Sequence, residues 1–289
     1  MAPERDERMS AQILTFTCED RVGIVAAVTG ELAAAGGFIL DSQQYADLET
    51  GRFFMRVVFS AADDGDADLR TRLGKVGETF ALDWSLVRAD SRPRVLIAVS
   101  TTSHCLNDLL HRWSTGALPI EPVGVVSNHE TLRGLTEWHG LPFHHLPVDA
   151  GNRAAQEAAL LDLFETSGAD LLVLARYMQV LSADLVERLA GRCINIHHSF
   201  LPSFKGARPY HQAHARGVKL IGATAHFVTS DLDEGPIIEQ AAERVDHRAT
   251  VNDLIAIGRD SEAQVLARAV GWIAERRVLL NGKRTVVFR

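Results

Sequence analysis

The pattern of apolar and polar positions changes character near residue 90. Before it, residues 12–18 (Gln-Ile-Leu-Thr-Phe-Thr-Cys) read as a strand. Glu19-Asp20-Arg21-Val22-Gly23 then turns the chain into a helix whose apolar face carries Val22, Ile24, Val25, Val28 and Leu32, and Gly36-Gly37 ends it. Strands over about 38–46 and 52–60 flank a polar turn at Glu49-Thr50-Gly51. Acidic residues 63–68 open a second helix, and 81–88 make a last strand. The order βαββαβ predicts a ferredoxin-like antiparallel sheet with its helices on one face.

Asp90-Ser91-Arg92-Pro93-Arg94 is a polar, proline-containing link. Beyond it, apolar runs at Val95–Ser100, Pro122–Ser127, Pro142–Leu146 and Leu171–Ala175 are separated by helical patterns at about 104–115, 130–139 and 152–167. This alternation predicts a parallel, Rossmann-like α/β sheet. Residues 194–198, 222–229 and 236–245 add strands, 250–277 reads as a closing amphipathic helix, and Asn281-Gly282 marks a small hairpin. The expected domains are therefore 1–90 and 91–289.

Composition supports that division. The 289 residues are enough for two cores, and 46% hydrophobic with 23% charged residues is an ordinary globular balance. The net charge of −7 is carried by residues 1–90, with 9 Lys and Arg against 16 Asp and Glu; residues 91–289 hold 21 of each. No basic stripe points to nucleic acid. The polar Met1–Ser10 segment lacks a signal-peptide core, and no apolar run approaches a membrane span, so the cytoplasm is the expected location. Cys18, Cys105 and Cys193 form no CxxC pair, which leaves a zinc or redox-dithiol site without support.

The candidate chemistry lies in Cys193-Ile194-Asn195-Ile196-His197-His198-Ser199-Phe200-Leu201-Pro202. Asn195 and His197 are two residues apart and share one side of an extended chain. An amide donor beside an imidazole suits polarising a carbonyl and moving a proton. A second polar turn, Thr229-Ser230-Asp231-Leu232-Asp233-Glu234-Gly235-Pro236, follows another apolar strand and brings a carboxylate to the imidazole if the two strands are neighbours. Taken singly, each residue has a plainer reading: Asn195 at a strand end, His197 as a structural histidine, Asp233 as a turn starter. Asp231 reads as a turn residue. His197 with His211, His214 and His226 lacks a compact metal motif, and no metal is expected.

Asn195-Ile196-His197-x-Ser199 followed by Leu232-Asp233-x-Gly235-Pro236 resembles the active-site signature of the 10-formyltetrahydrofolate-dependent formyltransferase fold. The run from Ile194 to Gln240, with His197-His198-Ser199 and Gly206-Ala207-Arg208-Pro209-Tyr210-His211-Gln212, is closer still to the formyltetrahydrofolate deformylase family. The resemblance implies Asn195, His197 and Asp233 as catalytic residues. It also implies a folate slot on Leu174-Ala175-Arg176-Tyr177-Met178-Gln179-Val180-Leu181, lined by Met178, Val180 and Leu181 and faced by Val228, Thr229 and Ser230, with His198 and Ser199 beside it. His198 stands where transformylases of this fold generally have proline; a role in hydrolysis and a packing role are both open. The Lys205-Gly206-Ala207-Arg208-Pro209 loop reads equally as a connector or a substrate cover.

Ser100-Thr101-Thr102-Ser103-His104-Cys105 departs from the glycine-rich phosphate loop of glycinamide ribonucleotide transformylase: there is no glycine between Val99 and Trp113. Each β-carbon obstructs close backbone approach to a phosphate. The implied activity is hydrolysis of 10-formyltetrahydrofolate to formate and tetrahydrofolate, supplying purine synthesis and balancing the one-carbon pool, with no cofactor beyond the folate. The rivals are formyl transfer to an amine and a non-catalytic amino-acid sensor. Asp20-Arg21-Val22-Gly23-Ile24-Val25 resembles the ACT domain. That likeness implies a homo-oligomer, dimer or tetramer, and an amino-acid effector, glycine or methionine, near Asp20, Gly23 and Ile39; an assembly-only role is the alternative.

Overall fold

The computed structural model describes residues 9–62, 66–149, 151–201 and 209–289. It divides into two compact units. One comprises Met1–Ser91 with Glu275–Leu279 and Val286–Arg289, the other Arg92–Ala274 with Leu280–Thr285. Residues 275–279 and 286–289 thus group with the first unit, away from the segment the sequence pattern assigned them to.

The first unit runs β1 (Met9–Glu19), α1 (Ile24–Ala34), β2 (Phe38–Asp47), β3 (Arg52–Ala62), α2 (Asp66–Phe80) and β4 (Asp83–Arg88). All pairings are antiparallel, in the order β2-β3-β1-β4. Alternation along β1 and β3 sends Leu14, Phe16 and Cys18, and Phe53, Met55, Val57 and Phe59, into one core. Helix α1 meets them with Ile24, Val28 and Leu32, and α2 with Leu69, Leu73 and Val76, the spacing of a helix face. Arg56 is buried on β3, where its Nε donates to the Glu275 carbonyl (3.1 Å) and its guanidinium pairs with Asp41 (3.1 Å).

The second unit runs β5 (Arg94–Val99), α3 (His104–Ser114), β6 (Glu121–Ser127), α4 (Arg133–Trp138), β7 (Phe143–His145), α5 (Arg153–Thr166), β8 (Leu171–Leu174), α6 (Ala183–Arg188), β9 (Cys193–His197), α7 (Pro209–Arg216), β10 (Leu220–Phe227), β11 (Ile237–Arg244) and α8 (Val251–Ala274). The chain ends in the hairpin β12 (Val278–Asn281) and β13 (Arg284–Val287). The seven-stranded sheet has the order β11-β10-β9-β8-β5-β6-β7. Strands β5 and β8 are buried along nearly their whole length, as continuous apolar runs require.

Two features differ from the sequence pattern. Strands β7, β6, β5, β8 and β9 are parallel, but β10 runs against both β9 and β11, so the sheet is mixed. The link 228–236 is too short for the crossover that a parallel β10–β11 pair needs. The short helices α6 and α7 carry too few turns to register as periodic patterns. The loop read at Lys205-Gly206-Ala207-Arg208 lies outside the described residues; α7 begins at Pro209. Among the described residues, no helix is long and apolar enough to cross a membrane.

Phe59 is fully buried in the first unit's core. Phe59→Ala is expected to lower the unfolding free energy by about 3–5 kcal/mol, seen as an earlier urea midpoint by circular dichroism. A loss under about 1 kcal/mol would contradict this packing.

Candidate active site

The site is built on the antiparallel pair β9–β10. Their register sets His197 opposite Thr224 and Asn195 opposite His226. Directly opposed residues share a face, so four polar side chains gather on one side of two otherwise apolar strands. Thr224 ties down the turn after His197: its hydroxyl donates to the Ser199 carbonyl (3.0 Å) and accepts from the Leu201 N–H (3.2 Å) and Gln240 Nε2 (3.0 Å).

Asp233 arrives by the link after β10. Because β10 is reversed, that link leaves beside the start of β9, not at its carboxyl end. It must therefore fold back over the sheet face. Two local features allow this. Gly235 sits where an added β-carbon would lie 1.8 Å from the Phe227 carbonyl oxygen, and the Phe227 N–H donates to the Pro236 carbonyl (2.9 Å). Asp233 itself has φ 58°, a left-handed conformation that Asp tolerates better than most side chains. The result is Asp233 Oδ1 at 3.2 Å from His197 Nδ1. The His197 hydrogen bond and charge hold the Asp233 carboxyl below its ordinary range, against the opposing effect of burial.

His226 was considered from the sequence only as a possible metal ligand; the structure gives it other contacts. It is buried, its Nδ1–H donates to the Phe227 carbonyl (2.8 Å), and its Nε2 is therefore the acceptor for Asn195 Nδ2 at 3.3 Å. Burial pushes His226 down from the usual histidine range, which keeps that nitrogen free to accept. One N–H of Asn195 is thus fixed, and the other has no protein acceptor among the described residues. The alternation Thr224-Ala225-His226 in a buried strand was the available signal. His211 and His214 lie exposed on α7.

A cavity of about 390 Å³ opens onto Asn195, His197 and Asp233. Met178, Val180, Leu181, Val228, Thr229 and His198 line it; Ser199 and Ser230 are not part of its wall. Met178 and Val180 remain exposed, apolar surface awaiting cover. Ser100 latches this loop: the Met178 N–H donates to Ser100 Oγ (3.0 Å), which donates to Asn128 Oδ1 (2.7 Å). Ser100 therefore supports the loop that lines the cavity.

Behind the cavity lies a buried group that the sequence pattern did not reveal. Glu262 of α8 accepts from the Tyr210 hydroxyl (2.7 Å), meets His104 Nε2 (2.8 Å) and ion-pairs with Arg176 Nε (3.2 Å). Burial drives its carboxyl up, but His104, Arg176 and Tyr210 together outweigh burial and bring it below the ordinary range. His104, Cys105 and Glu262 converge closely enough to suggest a cation site, yet Arg176 already supplies the positive charge to that carboxylate.

Two parts of the chain match known domains: residues 12–78 match the ACT domain, and residues 93–270 match the formyl transferase domain. A formyltetrahydrofolate deformylase from Corynebacterium sp. (strain P-1) is 54% identical over 280 residues, 96% of this chain and 98% of that protein. The crystal structure of formyltetrahydrofolate deformylase from Burkholderia mallei is 55% identical with a TM-score of 0.93, covering 97% of this chain and 100% of that one. The chain belongs to the formyltetrahydrofolate deformylase family. A glycinamide ribonucleotide transformylase from Symbiobacterium toebii is a more distant likeness, 32% identical with a TM-score of 0.63 over 68% of this chain and 95% of its own. Deformylase relatives thus account for both units, whereas the transformylase matches about two thirds of the chain.

The three residues expected at an effector site are not brought together within one chain. Asp20 and Gly23, whose φ of 98° suits glycine, follow the Glu19 end of β1, which pairs with Arg52. Ile39 lies across from Phe59, seven residues further along β3 and so about 23 Å away.

Gly235→Ala is expected to displace the link and draw Asp233 away from His197. Turnover should fall roughly 10-fold or more, with stability lower by about 1–3 kcal/mol. Steady-state kinetics and thermal melting check this; unchanged kinetics would mean that the link tolerates the methyl group.

Proposed function

We propose that this protein hydrolyses 10-formyltetrahydrofolate to formate and tetrahydrofolate. The observation that carries this reading is the meeting of Asn195, His197 and Asp233 at one apolar cavity, in a chain that belongs along its whole length to a family of deformylases. The pterin ring lies against Met178, Val180 and Leu181, which presents the formyl group to the triad. Water is the nucleophile. His197 Nε2 takes one proton as the water oxygen bonds to the formyl carbon. The ionised Asp233 stabilises the imidazolium through Nδ1. The free N–H of Asn195 donates to the developing oxyanion. As the carbon–nitrogen bond breaks, His197 returns the proton to the leaving nitrogen; formic acid then ionises. Water, folate and these side chains account for every atom and proton, so the scheme uses no further cofactor.

Two observations favour water over an amine acceptor. The segment 100–105 lacks glycine, and its Ser100 is engaged in holding the Met178 loop. In this reading the enzyme works in the cytoplasm, where released formate supplies purine synthesis and free tetrahydrofolate returns to the one-carbon pool. Purified protein is expected to release formate and tetrahydrofolate in equal amounts, with or without glycinamide ribonucleotide; formylated ribonucleotide would instead favour the transferase reading. Asp233→Asn, Asn195→Ala and His197→Ala should each lose roughly 10²-fold in turnover or more. Wild-type-like turnover in folded Asp233→Asn removes that carboxylate from the mechanism.

The first unit we read as a sensing and assembly domain. Strand β2 is an unpaired edge with Phe38, Leu40 and Tyr45 exposed along it. Side-by-side pairing of two copies through such edges would let Ile39 of one approach the Asp20–Gly23 turn of the other, a convergence that one chain does not achieve. The N-terminus of α1 there offers free N–H groups to an amino-acid carboxylate. Glycine or methionine is expected to bind and shift turnover, and deletion of residues 1–90 to abolish the response and change the oligomer size. No heat of binding for either amino acid, with unchanged kinetics, would leave the unit with assembly alone.

A further inference from the structure

His198 stands one residue beyond the triad histidine, and its ring stacks on His197 with centroids 4.7 Å apart and planes 23° apart. It lines the cavity. Arg176 lies 2.8 Å from its Nδ1 through one guanidinium nitrogen. A guanidinium only donates, so Nδ1 must be the acceptor and the ring proton must sit on Nε2. That N–H has no protein partner among the described residues.

Arg176 is itself held in place. Its backbone has φ 66°, which is unusual for a long side chain, and its Nε is ion-paired at 3.2 Å with the buried Glu262. Its Nε makes no hydrogen bond, while a terminal guanidinium nitrogen reaches His198. His104 and Tyr210 hold Glu262 from two further elements. Glu262 therefore orients Arg176, and Arg176 selects the tautomer of His198. Burial and the Arg176 charge push His198 down to about 4, so it is neutral in the working range and does not compete with His197 for a proton.

We propose that His198 positions the attacking water through its Nε2–H, and that Glu262 and Arg176 act through His198 as positioning residues. This rests on the hydrolytic reading above. The water accepts from His198 with one lone pair, gives a hydrogen to His197 Nε2, and keeps the second lone pair for the formyl carbon. The carbonyl oxygen is left to Asn195. His198 takes part in no proton transfer; it orders the nucleophile.

The decisive experiment offers the enzyme hydroxylamine as a second nucleophile. Attack by hydroxylamine nitrogen on the formyl carbon, with proton return to the folate nitrogen, gives formohydroxamate and tetrahydrofolate. It does not need an ordered water. In His198→Ala, formate release is expected to fall roughly 10- to 100-fold, with KM for the folate within about threefold. The ratio of formohydroxamate to formate should rise about tenfold or more over wild type, after subtraction of the uncatalysed reaction. His198→Gln, which keeps an amide donor, should recover at least about fivefold of the lost hydrolysis. Nitrogen NMR of histidine-labelled wild-type protein should find His198 as the Nε2–H tautomer. An unchanged product ratio, with both reactions falling together, would overturn the proposal, as would the Nδ1–H tautomer in the folded protein. If wild type releases no formate at all, the hydrolytic reading fails and takes this proposal with it. If wild type releases formate while His198→Ala retains its rate within about threefold, only the proposal fails.

Discussion

The arrangement depends on the antiparallel pairing of β9 with β10. A five-residue strand carries the amide and the imidazole, and its reversed neighbour carries the histidine that orients the amide and the threonine that anchors the following turn. Reversal has a geometric consequence. The link from β10 must double back over the face of the sheet, and it does so only because Gly235 can pass against the Phe227 carbonyl. One pairing thus dictates the position of all three triad residues and the need for a glycine after Asp233. Slipping the register by one residue would turn Asn195 and His197 to the opposite face.

A second layer of order lies in buried charge. Glu262 is taken from water with three partners around it, on α3, α7 and the loop after β8. Removing one partner of such a group leaves an uncompensated buried charge, a change worth several kcal/mol in general. The interaction is therefore better understood as a specificity device than as net stabilisation. It fixes the direction of Arg176, and Arg176 decides which nitrogen of His198 bears hydrogen. On the other flank, His226 does the equivalent for Asn195 through its own carbonyl contact. Each of these two site residues has its hydrogen-bonding edge set by a neighbouring side chain, His226 buried and Arg176 half-buried, so little reorganisation remains on binding.

The two domain matches fall on the two units separately. The formyl transferase match and the cavity belong to the second unit, and the ACT match to the first. The acidic excess lies in residues 1–90, leaving the second unit near neutrality. The cavity wall is largely apolar, so shape and a few fixed donors set what it can hold.

The sequence alone determined the order of the longer elements, the antiparallel first domain, the alternation of the second, and Asn195, His197 and Asp233 as a group. Those features are local or nearly so: the period of an apolar run, a turn with its glycine, and a motif whose residues keep the same spacing wherever the fold recurs. The Gly-Pro after Asp233 was visible as a signature, but its reason, a backbone approach too close for a β-carbon, was not. Tertiary structure alone decided the reversal of β10, the pairing of His226 with Asn195, and the burial of Glu262, which on an amphipathic helix looks like any surface acid. It also separated Ile39 from Asp20, which sequence likeness had grouped together. Register, strand direction and contacts between distant elements are set by how surfaces pack, and no pattern within a single segment carries that information.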